Sequence, residues 1–492
     1  MKTVVTFAVG CLLVGAARAQ SSNGVVQWDI QKRKQPQDLR RLGRRNATYE
    51  EVISNEDARG GYFATCKLGT PAQDLTLQLD TGSSDIWVPD SSAKVCRDSG
   101  FRGCDLGTFN PSKSTTYLTV GQNEFDISYV DGSSSKGDYF TDVFEIGGAS
   151  LSNMTMGLGI KTDIAYGLVG VGYALNEAIV GNTQETSSAY PNLPVNMMEE
   201  GLINTVAYSL WLNDLDASSG SILFGGIDTE KYHGELTRIN IYPTQKLYTA
   251  FLVAFTSLGA YSPSGSDTLT SKSFPIPVVL DSGTTLSYLP TDLAMQVWKE
   301  VGAIYSSQLQ LAVIPCQMQN SKGYFSFGFG GPNGPLINVT MDELVLDLTG
   351  GQPLTFNNGP YKGMDACEFG IQNFTNPPYL LGDTFLRSAY VVYDLVNNQI
   401  GIAPTDFNST RSNIVAFASK SAHIPSATVA PDQSQVTDVP SVTSPAYSAS
   451  PGFTDSAGVK GGAPGLPRAF GLAQICIVGI SMTIALFSSS LV

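Results

Sequence analysis

From Asn46 to about Phe407 the chain reads as short apolar runs divided by clusters of Gly, Pro, Asn and Ser. The runs YFATCKLG (62–69), LTLQLD (75–80), FDISYV (125–130) and SAYVVYD (388–394) are rich in β-branched and aromatic residues and predict strands. Helical spacing is scarce, and PTDLAMQVWKEVGAI (290–304) is its best candidate. Two apolar strands end alike: LTLQL runs into Asp80-Thr81-Gly82, and IPVVL into Asp281-Ser282-Gly283. One such ending in each half predicts an all-β, bilobal protein, with lobes at 46–205 and 206–407.

The two ends follow other patterns. Residues 1–19 carry a lysine, an apolar stretch and Ala17-Arg18-Ala19, the pattern of a secretory signal peptide cut after Ala19. Residues 20–45 include the basic run QKRKQPQDLRRLGRR, which ends in Arg44-Arg45 and reads as a propeptide with a dibasic processing site. Lys32-Arg33 is an alternative cut. Residues 408–455 turn to Ser, Thr, Pro, Ala and Val with few aromatics, which predicts a disordered, O-glycosylated stalk. Residues 456–492 hold the small triplet Ser456-Ala457-Gly458, a spacer to Arg468 and an apolar tail with no basic residue after it. That order is the signal for a glycolipid (GPI) anchor, with Ser456 the first choice of attachment site and Gly458 or Gly461 the alternatives. A transmembrane helix is the competing reading. Either way the chain is expected to enter the eukaryotic secretory pathway and finish at the cell surface, on the plasma membrane or in the wall.

Composition narrows the chemistry. A formal charge of −14 argues against nucleic acid as a partner, because phosphate binding needs a positive field. Fifty glycines, 21 tyrosines and only 15% charged residues suit a turn-rich β protein. Once the signal and the tail are removed with Cys11 and Cys476, five cysteines remain: Cys66, Cys96, Cys104, Cys316 and Cys367. Sequons at Asn46, Asn153, Asn338, Asn373 and Asn408 agree with a secreted glycoprotein. The chain has two histidines, His233 and His423, neither in a metal or nucleophile motif. That argues against metal, serine and cysteine hydrolase chemistry, and no metal or other cofactor is expected.

The repeated acids remain. Ser83 and Thr284 can hydrogen-bond their carboxylates, and the glycines allow close backbone approach. If the lobes bring Asp80 and Asp281 together, both cannot ionise cheaply, so one pKa rises and the pair shares a proton. The ionised member can then take a proton from water while the protonated one polarises a carbonyl.

The segments YFATCKLGTPAQDLTLQLDTGSSDIWVP, ISYVDGSSSKGDYFTD, GSILFGGID, DSGTT and YLLGDTFLRSAYVVYDLVNNQIGIAP together resemble the pepsin-type aspartic proteases over roughly 62–404. The resemblance implies two β lobes around a long cleft that binds peptide and protein substrates extended, hydrolysis in acidic surroundings, and a monomer. It implies Asp80 and Asp281 as the catalytic pair, with Thr81 and Ser282 bracing the two loops. Tyr129 matches the flap tyrosine, on a hairpin over 127–137, and Trp87 its support. Cys96–Cys104 and Cys316–Cys367 match the family's disulfides. Stalk, dibasic propeptide and anchor signal make the chain similar to the fungal yapsin-like group. It departs at YGLVG (166–170), where pepsins read Asp-Gly-Ile-Leu-Gly, in a short Cys96–Cys104 loop, and in Cys66, whose partner the resemblance does not supply. A non-catalytic binding module on a protease-like scaffold is the rival reading; the survival of both acids, their hydroxyl neighbours and the flap tyrosine favours the enzyme.

Overall fold

The computed structural model describes residues 24–33, 61–97, 103–217, 219–263, 265–348 and 354–436. In Val26–Arg33 (VQWDIQKR) every second side chain, Val26, Trp28 and Ile30, is buried, and the polar ones between face water. This is the period of two that a strand with one packed face requires. The strand lies inside the expected propeptide, yet it is an internal member of the main sheet, paired with Ser219–Phe224 on one side and with Gly61–Phe63 on the other.

That sheet has 14 strands among the described residues and runs through both halves of the chain. Strands Leu236–Asn240, Gln399–Pro404 and Ala389–Asp394 bring in the C-terminal half, and Gly61–Leu68, Gln73–Asp80 and Gly167–Gly170 the N-terminal half. A second sheet of eight strands belongs to the C-terminal half alone and includes Leu252–Ser262, Ile276–Leu280 and Tyr379–Leu381. The expected all-β, bilobal architecture is close to what the structure has: it is mostly β, with a few short helices beside the sheets. Its helix expectation also holds: Thr291–Val301 is helical, buries Leu293, Ala294, Val297 and Trp298, and stops at Gly302, whose φ of 74° is the left-handed conformation glycine adopts most readily.

The two halves repeat a local design. Gln73–Asp80 pairs in parallel with Gly167–Gly170, which sets Asp80 opposite Gly170. Ile276–Leu280 pairs in parallel with Tyr379–Leu381, and the N–H of Asp281 donates to the carbonyl of Leu381 at 3.1 Å. Each acid therefore sits where an apolar, doubly flanked strand ends.

The chain beyond Phe407 corrects the stalk expectation. Residues 408–436 pack along the C-terminal half as a strap. Ile414–Ala416 pairs with Gly226–Asp228, and Ala427–Val429 pairs in parallel with Leu236–Arg238. Phe417 and Ile424 are buried with Trp211, Tyr390 and Val392. A handful of apolar residues is enough to bind such a segment to a sheet; averaged over a Ser/Thr/Pro-rich stretch, they disappear from the composition. Residues 437–455 lie outside the described residues, as do the signal peptide, Arg44-Arg45, Asn46, Ser456 and the terminal tail.

Candidate active site

Asp80 and Asp281 meet at the contact between the two Asp-Thr/Ser-Gly turns. A methyl group built on Gly283 would lie 2.2 Å from Asp80 Oδ1 and 3.2 Å from Asp281 Oδ1, so both carboxylates converge on a point only glycine can leave free. Gly82 has the same relation to Asp281, whose Oδ1 would be 2.5 Å from an added Cβ. Both acids are more than nine-tenths buried.

Their cradles match. The N–H of Gly82 donates to Asp80 Oδ1 at 2.7 Å, and that of Gly283 to Asp281 Oδ1 at 2.9 Å. Ser83 Oγ donates to Asp80 Oδ2, and Thr284 Oγ1 to Asp281 Oδ2 at 2.7 Å. The turns are cross-braced: the N–H of Thr81 donates to Ser282 Oγ at 3.2 Å, and the N–H of Ser282 to Thr81 Oγ1 at 2.9 Å. The same hydroxyls reach on to Leu280 O and Leu79 O, so each turn is anchored on the strand that delivers the other acid.

Burial first, then the Asp281 charge, hold the Asp80 carboxyl well above the usual carboxylate range. Hydrogen bonds from Ser83 and Gly82 act the other way without cancelling this. A buried pair in this geometry retains one proton where isolated carboxylates would both be ionised.

The hairpin of Leu118–Ser128 and Ser134–Ile146 is closed by a turn in which the N–H of Tyr129 donates to Ser133 O and Gly132 adopts a φ of 86°. Tyr129 is half-buried and accepts a 2.7 Å hydrogen bond from Nε1 of the wholly buried Trp87. The Asp80 charge reaches its phenol. Among the described residues, then, the structure brings together Asp80, Asp281, Thr81, Ser282, Ser83 and Thr284, and it pairs Tyr129 with Trp87.

The sequence model of the eukaryotic aspartyl proteases matches residues 61–405. The chain belongs to that family. Among its relatives, a protein named probable aspartic-type endopeptidase opsB, from Aspergillus fumigatus, is 40% identical over 86% of this chain and 81% of its own length. Yapsin-3 of Saccharomyces cerevisiae is 33% identical over 81% of this chain and 76% of its own. Secreted aspartic protease 8 of Candida albicans is 35% identical over 75% and 81%. The protein is an aspartic-type endopeptidase.

For this aspartyl protease the structure also locates the remaining sequence features. Cys96–Cys104 and Cys316–Cys367 are disulfides. Cys66 is a buried free thiol, and burial pushes its pKa far up, so it is inert as a nucleophile. Tyr166, where pepsins carry an acid, is buried edge-on against Phe63 with ring centroids 5.4 Å apart. An aromatic wall replaces a charge there. His233 sits at the surface, 3.0 Å from Asp406, and His423 is exposed on the strap. Asn153, Asn338 and Asn408 are exposed and Asn373 is half-buried. Sequence reasoning missed Asp85, an acid in the same turn as Asp80 and as deeply buried. Its signal was the one that exposed Asp80: a carboxylate in an apolar string.

Proposed function

We propose that this endopeptidase is made as a secreted zymogen, is held at the cell surface by a GPI anchor, and cleaves protein substrates in acidic surroundings with a water activated between Asp80 and Asp281. The observation that carries the chemistry is the convergence of two equivalently cradled carboxylates on Gly283, with one of them biased to keep its proton. In the singly protonated pair the carboxylate removes a proton from the water as its oxygen attacks the scissile carbonyl carbon, and the other carboxyl gives its proton to the carbonyl oxygen. The tetrahedral diol then collapses: a proton passes from the diol through a carboxylate to the nitrogen, the C–N bond breaks, and acid and amine leave. Both acids end as they began, with one proton between them. Tyr129 and the flap cover the site and exclude water from the intermediate.

Two features support the zymogen reading. Val26–Arg33 precedes the dibasic pair Arg44-Arg45 yet is an integral sheet strand, with Lys32 Nζ donating to Leu215 O. The alternative cut at Lys32-Arg33 lies in that strand, where Lys32 is paired with Tyr62 and Arg33 with Gly61, so a processing protease would have to pull it out first. This favours cleavage after Arg45. The name of secreted aspartic protease 8 agrees with a secreted setting. Exposed sequons support glycosylation at Asn153, Asn338 and Asn408. The test of the chemistry is the pH dependence of kcat/KM on a peptide substrate. It should be greatest in the acidic range and fall as the second carboxyl ionises; a rate still rising above neutral pH would contradict a shared proton.

A further inference from the structure

We infer that Asp85 is a positioning residue for peptide hydrolysis, tying the flap and the 176–190 wall to the first catalytic turn. The inference rests on the reading of Asp80 and Asp281 as the catalytic pair. Asp85 is about 1% exposed and faces three donors, one on the strand Ser134–Ile146 and two in the 176–190 segment. Its Oδ1 accepts from Tyr139 OH at 3.2 Å and from Tyr190 OH at 2.8 Å. Its Oδ2 accepts from the N–H of Ala178 at 2.8 Å.

Each donor leads to the site. Tyr139 stands on the flap strand Ser134–Ile146; its ring meets Phe125 edge-on at 5.4 Å, and Phe125 packs on Trp87, which holds Tyr129. Ala178 opens a short helix that follows Asn176, and Asn176 Nδ2 donates to Gly82 O of the catalytic turn at 3.0 Å. From the same helix, Asn182 Nδ2 donates to Asp126 O of the other flap strand at 2.8 Å. Tyr190 closes the segment, and its own N–H donates to Glu177 Oε2. One carboxylate thus sets where the flap base, the wall and the turn stand relative to one another.

Neither tyrosyl donor touches the reacting atoms, so the prediction concerns substrate binding more than turnover. Asp85→Ala leaves three buried donors without an acceptor and a space where the carboxylate stood. Asp85→Asn can serve all three, its carbonyl toward the Ala178 N–H and its amide toward the phenol oxygens, which accept as well as donate.

The experiment compares activated wild type, Asp85→Ala and Asp85→Asn on a peptide substrate, with active sites counted by titration with a statine-type inhibitor. Asp85→Ala should raise KM about tenfold while kcat per active site stays within about threefold, and Asp85→Asn should restore most of that loss. A purely structural role would lower the count of active sites and leave KM unchanged in the sites that remain, and that result would overturn the inference. So would an Asp85→Asn enzyme no better than Asp85→Ala. If Asp85→Ala is not secreted, Tyr190→Phe keeps the ring and removes one bond; it should raise KM about threefold, and an unchanged KM would overturn the inference equally. Wild-type turnover reports on the catalytic pair, and the ratio between variants reports on Asp85.

Discussion

Three carboxyls near the catalytic turn are held above the usual range by burial: Asp80, Asp85 and Glu177, the last pushed up to about 9. Each binds its proton more tightly in the folded chain than in the unfolded one. Their contribution to stability is therefore complete below the ordinary carboxylate pKa of about 4 and is lost as pH rises through the folded values. The melting temperature should fall steadily from pH 4 toward neutral and beyond, and Glu177→Gln should flatten part of that fall. Thermal melts across this range check it, and a melting temperature that climbs with pH would contradict it. At this scale the sequence was legible where a residue announces its own chemistry. Asp80 and Asp281 could be read because each ends an apolar strand and each is followed by a hydroxyl. Asp85 stands in the same kind of string, but its role depends on Tyr139, Ala178 and Tyr190, which only the fold brings to it.

Among the elements, the 118–146 hairpin is tied to the rest of the chain by polar contacts, the bond from Trp87 to Tyr129 among them. Trp87→Phe removes the donor to Tyr129, a bond of about 1 kcal/mol, so kcat/KM should drop roughly fivefold, and because Trp87 is wholly buried the smaller ring should also lower the melting temperature. Steady-state kinetics on the folded variant decides it; an unaltered kcat/KM would mean that Trp87 does not hold the tyrosine. The strap makes a different prediction. Phe417 is fully buried against Trp211 and Tyr390 on the sheet face, so Phe417→Ala should cost about 3–5 kcal/mol of stability and leave KM unchanged. Denaturant unfolding measures this, and a variant as stable as wild type would show that the strap adds nothing. Strands and the helix Thr291–Val301 were readable because their periodicity is local. The strap was not, because its apolar residues are sparse and their partners lie in distant strands.

On the scale of the whole molecule, two equivalent strand endings are pressed together by a sheet that both halves share, and the paired acids are the result. The proposed reading adds processing and attachment at the ends of the chain to that body. The mature protein should begin at Asn46 by amino-terminal sequencing, and a fully active chain that still starts at Gln20 would refute the zymogen reading. Phosphatidylinositol-specific phospholipase C should release it from membranes; resistance, with the final residues still present, would favour a transmembrane helix. The bilobal plan was legible because the turn recurs, whereas the placing of Val26–Arg33 inside the sheet was hidden by the basic residues that end it. The most direct test of the central claim is the turnover of Asp80→Asn and Asp281→Asn, each purified, shown by circular dichroism to be folded, and assayed on the same peptide at acidic pH. Each substitution removes one of the two acid–base roles, worth about 10²–10⁴-fold each, so both variants should lose at least that factor in kcat. Wild-type-like turnover by either one would contradict a water activated between the two aspartates.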